Sequence, residues 1–266
     1  MIDIDALFEK YFRNFVMKNS GRFTEDELED KVGEIYSKFG STPLKELGNE
    51  SPKNYFANMT DAEIVSALRD SVKNGVSVSD FLCDELTERD GVFDSLVAMI
   101  STEFNDELST YCVNIIRFNK RVRDAYKTML TALCDSKCGV SLAETITEVL
   151  KEDADAVKSD ILSVFDSALS AKKYFTEILS ACGIDDDVTN VLIRQFVENK
   201  DEYAINAGYL GKYGDDRALP VLYDVIKKDN LPYLDYKEIK LAIEELGGEV
   251  DDSANYKDDA VYKNLH

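Results

Sequence analysis

Residues 203–248 read YAINAGYLGKYGDDRALPVLYDVIKKDNLPYLDYKEIKLAIEELGG, and their pattern predicts three short amphipathic helices separated by tight breaks. In the first helix, Tyr203, Ala207 and Leu210 are spaced i, i+4 and i+7, so they share one face. Gly214 should end this helix, because glycine adopts the left-handed conformation at a helix end without steric cost. Helices this short bury too little apolar surface to be stable alone, so we expect them to stack.

The second and third helices of this stretch are marked by equally local signals. Asp215 and Asp216 suit the start of the second helix, where carboxylates accept hydrogen bonds from free N–H groups near the positive end of the helix dipole. Pro220 falls in its first turn, where proline is least costly, and Gly247 should end the third helix. The apolar residues expected to face the core are Leu219, Leu222, Ile226, Ile239, Ala242, Ile243 and Leu246.

Part of this stretch resembles a known repeat. Residues 206–222, NAGYLGKYGDDRALPVL, resemble a HEAT-like repeat of the phycobilin-lyase type, in which an alanine and a Leu-Gly pair close one helix and Gly-Asp-x-Arg-Ala-Leu-Pro opens the next. A second Leu-Gly pair, at Leu246, begins 36 residues after the pair at Leu210 (246 − 210), a spacing typical of helical-pair repeats. The resemblance covers residues 203–248 and implies a right-handed α-solenoid, a HEAT-like array of helices, but it says almost nothing about function.

The rest of the chain continues the helical periodicity. No run of residues sustains the alternation of apolar and polar positions that a strand requires, so we predict no β-sheet. The predicted class is all-α, with the solenoid as the first choice and a compact α-helical bundle as the alternative. Three pairs have the capping-box spacing that marks a helix start. They are Thr24 with Glu27, Thr60 with Glu63, and Ser141 with Glu144.

The domain organisation follows from this regularity. We predict one all-helical, repeat-like domain over residues 1–248, in which residues 1–59 form either an N-terminal cap or a separate module. Residues 249–266 should form an acidic C-terminal tail. If the chain has an internal domain boundary, the irregular stretch 41–59 and the neighbourhood of Gly91 are the expected places.

The composition limits the classes of function and location. Lys and Arg number 31 against 52 Asp and Glu, a net charge of −21, which should repel nucleic acid and anionic membranes. No apolar run approaches the ~18 residues that a membrane-spanning helix needs. The acidic N-terminus does not resemble a signal peptide, and five cysteines, an odd number, are best explained as buried reduced thiols. We therefore expect a cytoplasmic protein.

Residues suited to catalysis or metal binding are scarce. The one histidine is the last residue, His266, which argues against histidine-dependent catalytic triads, Cys-His pairs and the usual zinc sites. Cys134 and Cys138 offer two sulfurs, too few for a structural metal site, and lack the CxxC spacing of redox motifs. The acidic run at 185–187 suits a helix start. We predict no catalytic residue, no cofactor and no metal.

One basic segment, residues 117–127, differs from the acidic background. Asp124 is its only carboxylate, its net charge is +4, and Phe118 and Tyr126 lie between the cations. Such a segment could bind an acidic peptide, a phosphorylated partner or a nucleic-acid backbone. The alternative is a surface of internal salt bridges, since the many carboxylates need neighbours. The cations, which are the predicted partner-binding residues, are Arg117, Lys120, Arg121, Arg123 and Lys127.

The arrangement of these cations depends on the local structure. In a continuous helix, Lys120, Arg123 and Lys127 would share a face at i, i+3 and i+7. Arg117 and Arg121 would lie on a neighbouring face at i and i+4.

Three functions remain open from the sequence. The first choice is a non-catalytic protein–protein interaction scaffold that binds another protein or an acidic peptide, since helical repeats commonly expose such surfaces. The second is a protein of the HEAT-type lyase kind that handles a small molecule or cofactor, which would require a deep apolar pocket. The third is nucleic-acid binding through the basic segment, which the net charge of −21 opposes.

Overall fold

A computed structural model describes residues 2–102, 105–228, 231–251, 256 and 260–265. Over these residues the chain forms sixteen α-helices and no β-strand, so the predicted all-α class is confirmed. The first eight helices are α1 (Ile4–Lys18), α2 (Glu25–Gly40), α3 (Pro52–Ala57), α4 (Asp61–Lys73), α5 (Asp80–Glu88), α6 (Phe93–Thr102), α7 (Asp106–Arg117) and α8 (Val122–Cys134). The others are α9 (Val140–Lys151), α10 (Ala154–Val164), α11 (Lys172–Leu179), α12 (Asp186–Glu198), α13 (Tyr203–Tyr213), α14 (Leu219–Ile226), α15 (Tyr233–Glu245) and α16 (Ala260–Leu265).

The chain divides into two compact units, Met1–Met129 and Leu130–His266. The division falls within α8, whereas the sequence suggested 41–59 or the neighbourhood of Gly91 for any boundary. The single domain over 1–248 stays a prediction. In the tail predicted at 249–266, the described residues include the short helix α16.

Two of the three predicted capping boxes form. Thr24 N donates to Glu27 Oε2 at 2.9 Å and Glu27 N donates to Thr24 Oγ1 at 3.3 Å, and Thr60 with Glu63 repeats this exchange at the start of α4. The box predicted at Ser141 is wrong, because Gly139 takes the extended N-cap position and α9 already begins at Val140. Ser141 therefore lies inside the helix.

The three helices predicted over 203–248 are confirmed as α13, α14 and α15. Gly214 ends α13 in the left-handed conformation, with φ 81°. Tyr203, Ala207 and Leu210 are buried, as the i, i+4, i+7 pattern predicts. Of the other expected core residues, Leu222, Ile239, Ala242 and Ile243 are buried, while Leu219, Ile226 and Leu246 are half-buried.

Helices α13 and α15 pack closely because one face of α13 lacks bulky side chains. A Cβ atom at Gly211 would lie 3.1 Å from the Ala242 Cα atom and would overlap the carboxylate of Glu245. A larger residue at this position would press on the α15 backbone, so glycine favours the close approach of the two helices.

The turn before α14 contains a buried carboxylate. Asp215 caps the 3-10 turn Asp216–Ala218 that leads into α14, and it accepts hydrogen bonds from the Arg217 backbone N and the Arg217 Nε atom, both at 3.0 Å. Thr189 Oγ1 of α12 donates to Asp215 Oδ2 at 2.6 Å. Arg217 Nη1 also donates to Asp186 Oδ1 at 2.7 Å. This network joins α12 to the turn.

In the first unit, a largely buried arginine closes the end of α3. Arg89 Nη1 donates to the Met59 carbonyl at 2.6 Å, and Arg89 Nη2 donates to the carbonyls of Phe56 and Ala57 at 3.1 and 2.9 Å. Arg89 Nε donates to Glu85 Oε1 at 2.7 Å. The carbonyls of Ala57 and Met59 lie at or just past the end of α3, and Phe56 O also accepts from Met59 N at 3.1 Å, so the guanidinium completes the C-cap.

Each unit also contains ion pairs between residues 26 to 28 positions apart in the sequence. Each of these pairs connects residues that belong to different helices or to the turns beside them. In the first unit the pairs are Arg89–Asp61 and Arg121–Asp94, and in the second they are Lys151–Glu177, Lys158–Asp185 and Arg194–Asp166.

Candidate functional site

The predicted basic segment is divided between two helices. Arg117 is the last residue of α7, residues 118–121 form a turn, and α8 begins at Val122. Asn119 stabilises the turn, because its Oδ1 atom accepts a hydrogen bond from Arg121 N at 2.9 Å. We call residues 117–121 the basic turn.

The single helical face considered for Lys120, Arg123 and Lys127 does not form, because the helical conformation is interrupted. Arg123 and Lys127 remain neighbours at i and i+4 on α8 and are exposed. Lys120 is exposed on the basic turn. The structure therefore separates the five cations into a group on the turn and a pair on the helix.

Arg121 belongs to the internal salt bridges. Its Nη2 atom donates to Asp94 Oδ1 at 2.9 Å and its Nε atom donates to Asp124 Oδ2 at 3.0 Å. The guanidinium also lies over the ring of Phe93, 4.3 Å from the centroid. The hydrogen bonds to Asp124 and Asp94 raise the pKa of Arg121 above its ordinary value. This side chain fixes the start of α8 against α6.

Phe118 is the unusual residue of the basic turn. It is 74% exposed, whereas the neighbouring Phe93 is almost completely buried. The Arg117 guanidinium lies 5.9 Å from the Phe118 ring centroid, a cation–π distance. An exposed aromatic ring beside cations offers a partner both apolar contact and charge pairing.

A concave surface lies in the second unit. A cavity of about 480 Å³ separates α11 from α13, and a cavity of about 390 Å³ follows between α13 and α15. Ile205 and Tyr209 line both cavities, so the two lie side by side along α13. We call the two together the α13 groove.

The polar groups of the α13 groove are anchored to the helices beneath. Lys151 Nζ donates to Glu177 Oε1 at 2.8 Å, which holds the Glu177 carboxylate between α9 and α11. Glu177 also shares a hydrogen bond with the Tyr209 hydroxyl. Burial, followed by the charge of Glu177, raises the pKa of Tyr209, so this phenol stays protonated at neutral pH. The neutral hydroxyl is a hydrogen-bond donor.

No pattern in the sequence predicted this groove. Three of its exposed apolar side chains, Ile205, Leu234 and Leu241, lie outside the apolar stripes that identified the helices, and the fourth, Leu169, lies in the turn between α10 and α11. Large apolar residues on the polar side of an amphipathic helix were the available signal. That signal alone does not show which helices become neighbours.

Metal and redox chemistry gain no support from the described part of the chain. Within it, no group of three or more His, Cys, Asp or Glu side chains could hold a metal ion. His266 lies outside the described residues. The predicted burial is confirmed for Cys112 and Cys182 and is wrong for the other three cysteines, since Cys134 is exposed and Cys83 and Cys138 are half-buried. None of the described helices combines the length and the apolar character needed to cross a membrane.

Comparison with known proteins found no match to a family model, to a curated protein or to a solved structure.

Proposed function

We propose that this protein is a non-catalytic interaction scaffold, a HEAT-like α-solenoid whose basic turn binds an acidic segment of another protein in the cytoplasm. The observation that carries this function is Phe118, 74% exposed between Arg117 and the exposed Lys120. A phenylalanine with this exposure adds little to the stability of the fold, since most of its apolar surface stays in water.

The helical organisation supports the repeat part of the proposal. Helices that are close in sequence pack against each other throughout the second unit, from α9 to α15. In both units, ion pairs recur at separations of 26 to 28 residues, as expected for stacked helical layers. These features favour a solenoid over a bundle in which distant helices pack together.

Aromatic and arginine side chains are common energetic centres of protein interfaces. Here Phe118 would enter an apolar site on the partner, while Arg117 and Lys120 pair with its carboxylates. The net charge of −21 opposes an acidic partner at long range. Salt screens exposed charges beyond about 8 Å at physiological ionic strength, so the nearby cations dominate at contact.

The α13 groove gives less support to a cofactor-handling function. Small-molecule sites are mostly apolar with a few polar groups. The groove has a suitable volume, about 480 Å³ for its larger part, but charged side chains from several helices line it. Nucleic-acid binding is also less favoured, because Arg121 already pairs with Asp94 and Asp124.

Peptide selection tests the proposal and does not require a known partner. A phage-displayed library of random peptides is first depleted on a Phe118→Ser, Lys120→Glu variant and then selected on the wild-type chain. The proposal expects the retained peptides to combine Asp or Glu with aromatic or large apolar residues. Their affinity should fall by about tenfold or more in the variant, the range of a single interface centre, and should fall further with added salt.

Met17→Ser is the matched control, because Met17 is 68% exposed in the same unit and lies far from the basic turn in sequence. It should leave peptide binding unchanged, and circular dichroism at 222 nm should be equal for all variants. Peptides without acidic enrichment, or equal losses in Met17→Ser and the basic-turn variant, would show that the basic turn is not the site.

A further inference from the structure

We propose that the α13 groove is a second binding site, which takes a cationic amphipathic helix of a partner protein. This inference goes beyond the acidic segment proposed for the basic turn. The two sites lie in different units, so either can fail in experiment without affecting the other.

Exposed apolar side chains line the α13 groove. Ile205 at the start of α13 is 54% exposed, and Leu234 and Leu241 of α15 are exposed on the same cavity. Leu169 is exposed at the other part of the groove. Grouped apolar side chains along a concave surface are typical of sites that accept the apolar face of a helix.

Gly208 is a helical glycine that faces open space. It lies in the middle of α13 and lines the groove, and a Cβ atom there would meet nothing within 4 Å. A glycine inside a helix destabilises it relative to alanine. Packing within this unit explains Gly211, which faces α15, but leaves Gly208 unexplained. An open glycine allows another backbone to approach closely, so we assign Gly208 as the point of closest contact with the bound helix.

The charge of the groove lining favours a cationic partner helix. Five carboxylates and three lysines line the two cavities, a net charge of −2. One of the lysines, Lys173, lies over the ring of Tyr174 with its Nζ atom 4.6 Å from the centroid. With −21 on the whole chain, both the local and the long-range charge favour a cationic partner.

The dimensions suit a helix of about three turns. Helix α13 has 11 residues, and at about 1.5 Å per residue its axis is about 16 Å long. A helix of similar length would present apolar residues at i, i+4 and i+7 to the groove and lysine or arginine to its rims.

The test uses a fluorescein-labelled amphipathic peptide built from leucine and lysine, with leucine at i, i+3, i+4 and i+7. Fluorescence anisotropy measures its binding to the full chain at physiological salt. We expect an affinity at least tenfold higher than that of a scrambled peptide with the same composition. A peptide with glutamate in place of lysine should not bind. Equal binding of the scrambled peptide would overturn the proposal, because it would show attraction by charge alone.

Variants of Gly208 separate binding from folding. Gly208→Ala should keep or raise the thermal midpoint and weaken binding by several-fold, while Gly208→Leu should fill the open space and abolish binding. Ile205→Lys should weaken binding at least tenfold. Ile184→Lys is the matched control, because Ile184 is 63% exposed and does not line the groove.

Three results would overturn the proposal. The first is an affinity unchanged within twofold in Gly208→Leu and Ile205→Lys, both shown to be folded by circular dichroism. The second is an equal loss in Ile184→Lys. The third is self-association of the wild-type chain in sedimentation experiments that Ile205→Lys removes, since the groove would then bind a second copy.

Discussion

Replacing Asp215 with alanine removes the carboxylate that joins α12 to the start of α14. Asp215 is buried and accepts hydrogen bonds from Thr189, from the Arg217 backbone and from the Arg217 guanidinium. The lost cap costs about 1 kcal/mol. The charge-assisted bonds add about 1–2 kcal/mol, reduced because Arg217 is about half exposed. The free energy of unfolding should therefore fall by about 2–3 kcal/mol.

Urea unfolding followed by circular dichroism at 222 nm measures this loss, since the chain has no tryptophan for fluorescence. The chain has two compact units, so the fit must allow two transitions. Asp216→Ala is the matched control, because Asp216 is exposed, and its cost should stay within about 0.5 kcal/mol. Equal losses in the two variants would refute the argument.

The pH dependence gives an independent check on Asp215. The Arg217 guanidinium, followed by the Thr189 hydroxyl, holds the pKa of Asp215 well below its ordinary value of 3.8. A carboxyl with a lowered pKa in the folded state stabilises the fold above its unfolded pKa and loses this contribution as the pH falls through the folded value. The difference in unfolding free energy between wild type and Asp215→Ala should be constant from pH 5 to 8, a range that begins about 1 unit above the unfolded pKa. This difference should shrink below about pH 4. A difference that grows in acid would contradict this sign.

Three further outcomes follow from the packing. Arg89→Met should destabilise the first unit by about 2–4 kcal/mol, because it leaves the Ala57 and Met59 carbonyls without their donor. Arg13→Met, at an exposed i, i+4 pair, should cost under about 0.5 kcal/mol, and urea unfolding measures both. Gly211→Ala should lower the thermal midpoint, with a cost of about 1–3 kcal/mol, because the added methyl group overlaps α15. With Ellman's reagent at pH 8, exposed Cys134 should react well before Cys83, whose pKa burial raises to about 11.

Local signals in the sequence predicted the helix boundaries best. Gly214 and the Thr24 and Thr60 capping boxes depend on residues within one turn of each other, so their geometry is encoded locally. Ser141 failed for an equally local reason. The residue pair had the correct spacing, but Gly139 was free to adopt the N-cap conformation two residues earlier.

The candidate sites depend on contacts that one sequence does not reveal. Arg121 is a predicted binding residue, but in the structure it pairs with Asp94, 27 positions away. Periodicity does not show that α6, which carries Asp94, lies next to the start of α8. Ile205 and Leu241 line the same cavity only because α13 and α15 lie side by side. Helical periodicity therefore predicted the all-α class, while the groove required the three-dimensional arrangement.

The packing of helices against their neighbours in sequence affects how the second unit can unfold. In the second unit, from α9 to α15, each helix contacts mainly helices one or two places away in sequence, so the loss of one terminal helix leaves most contacts of the others intact. Hydrogen exchange should then show protection that rises from the ends of this unit toward its middle.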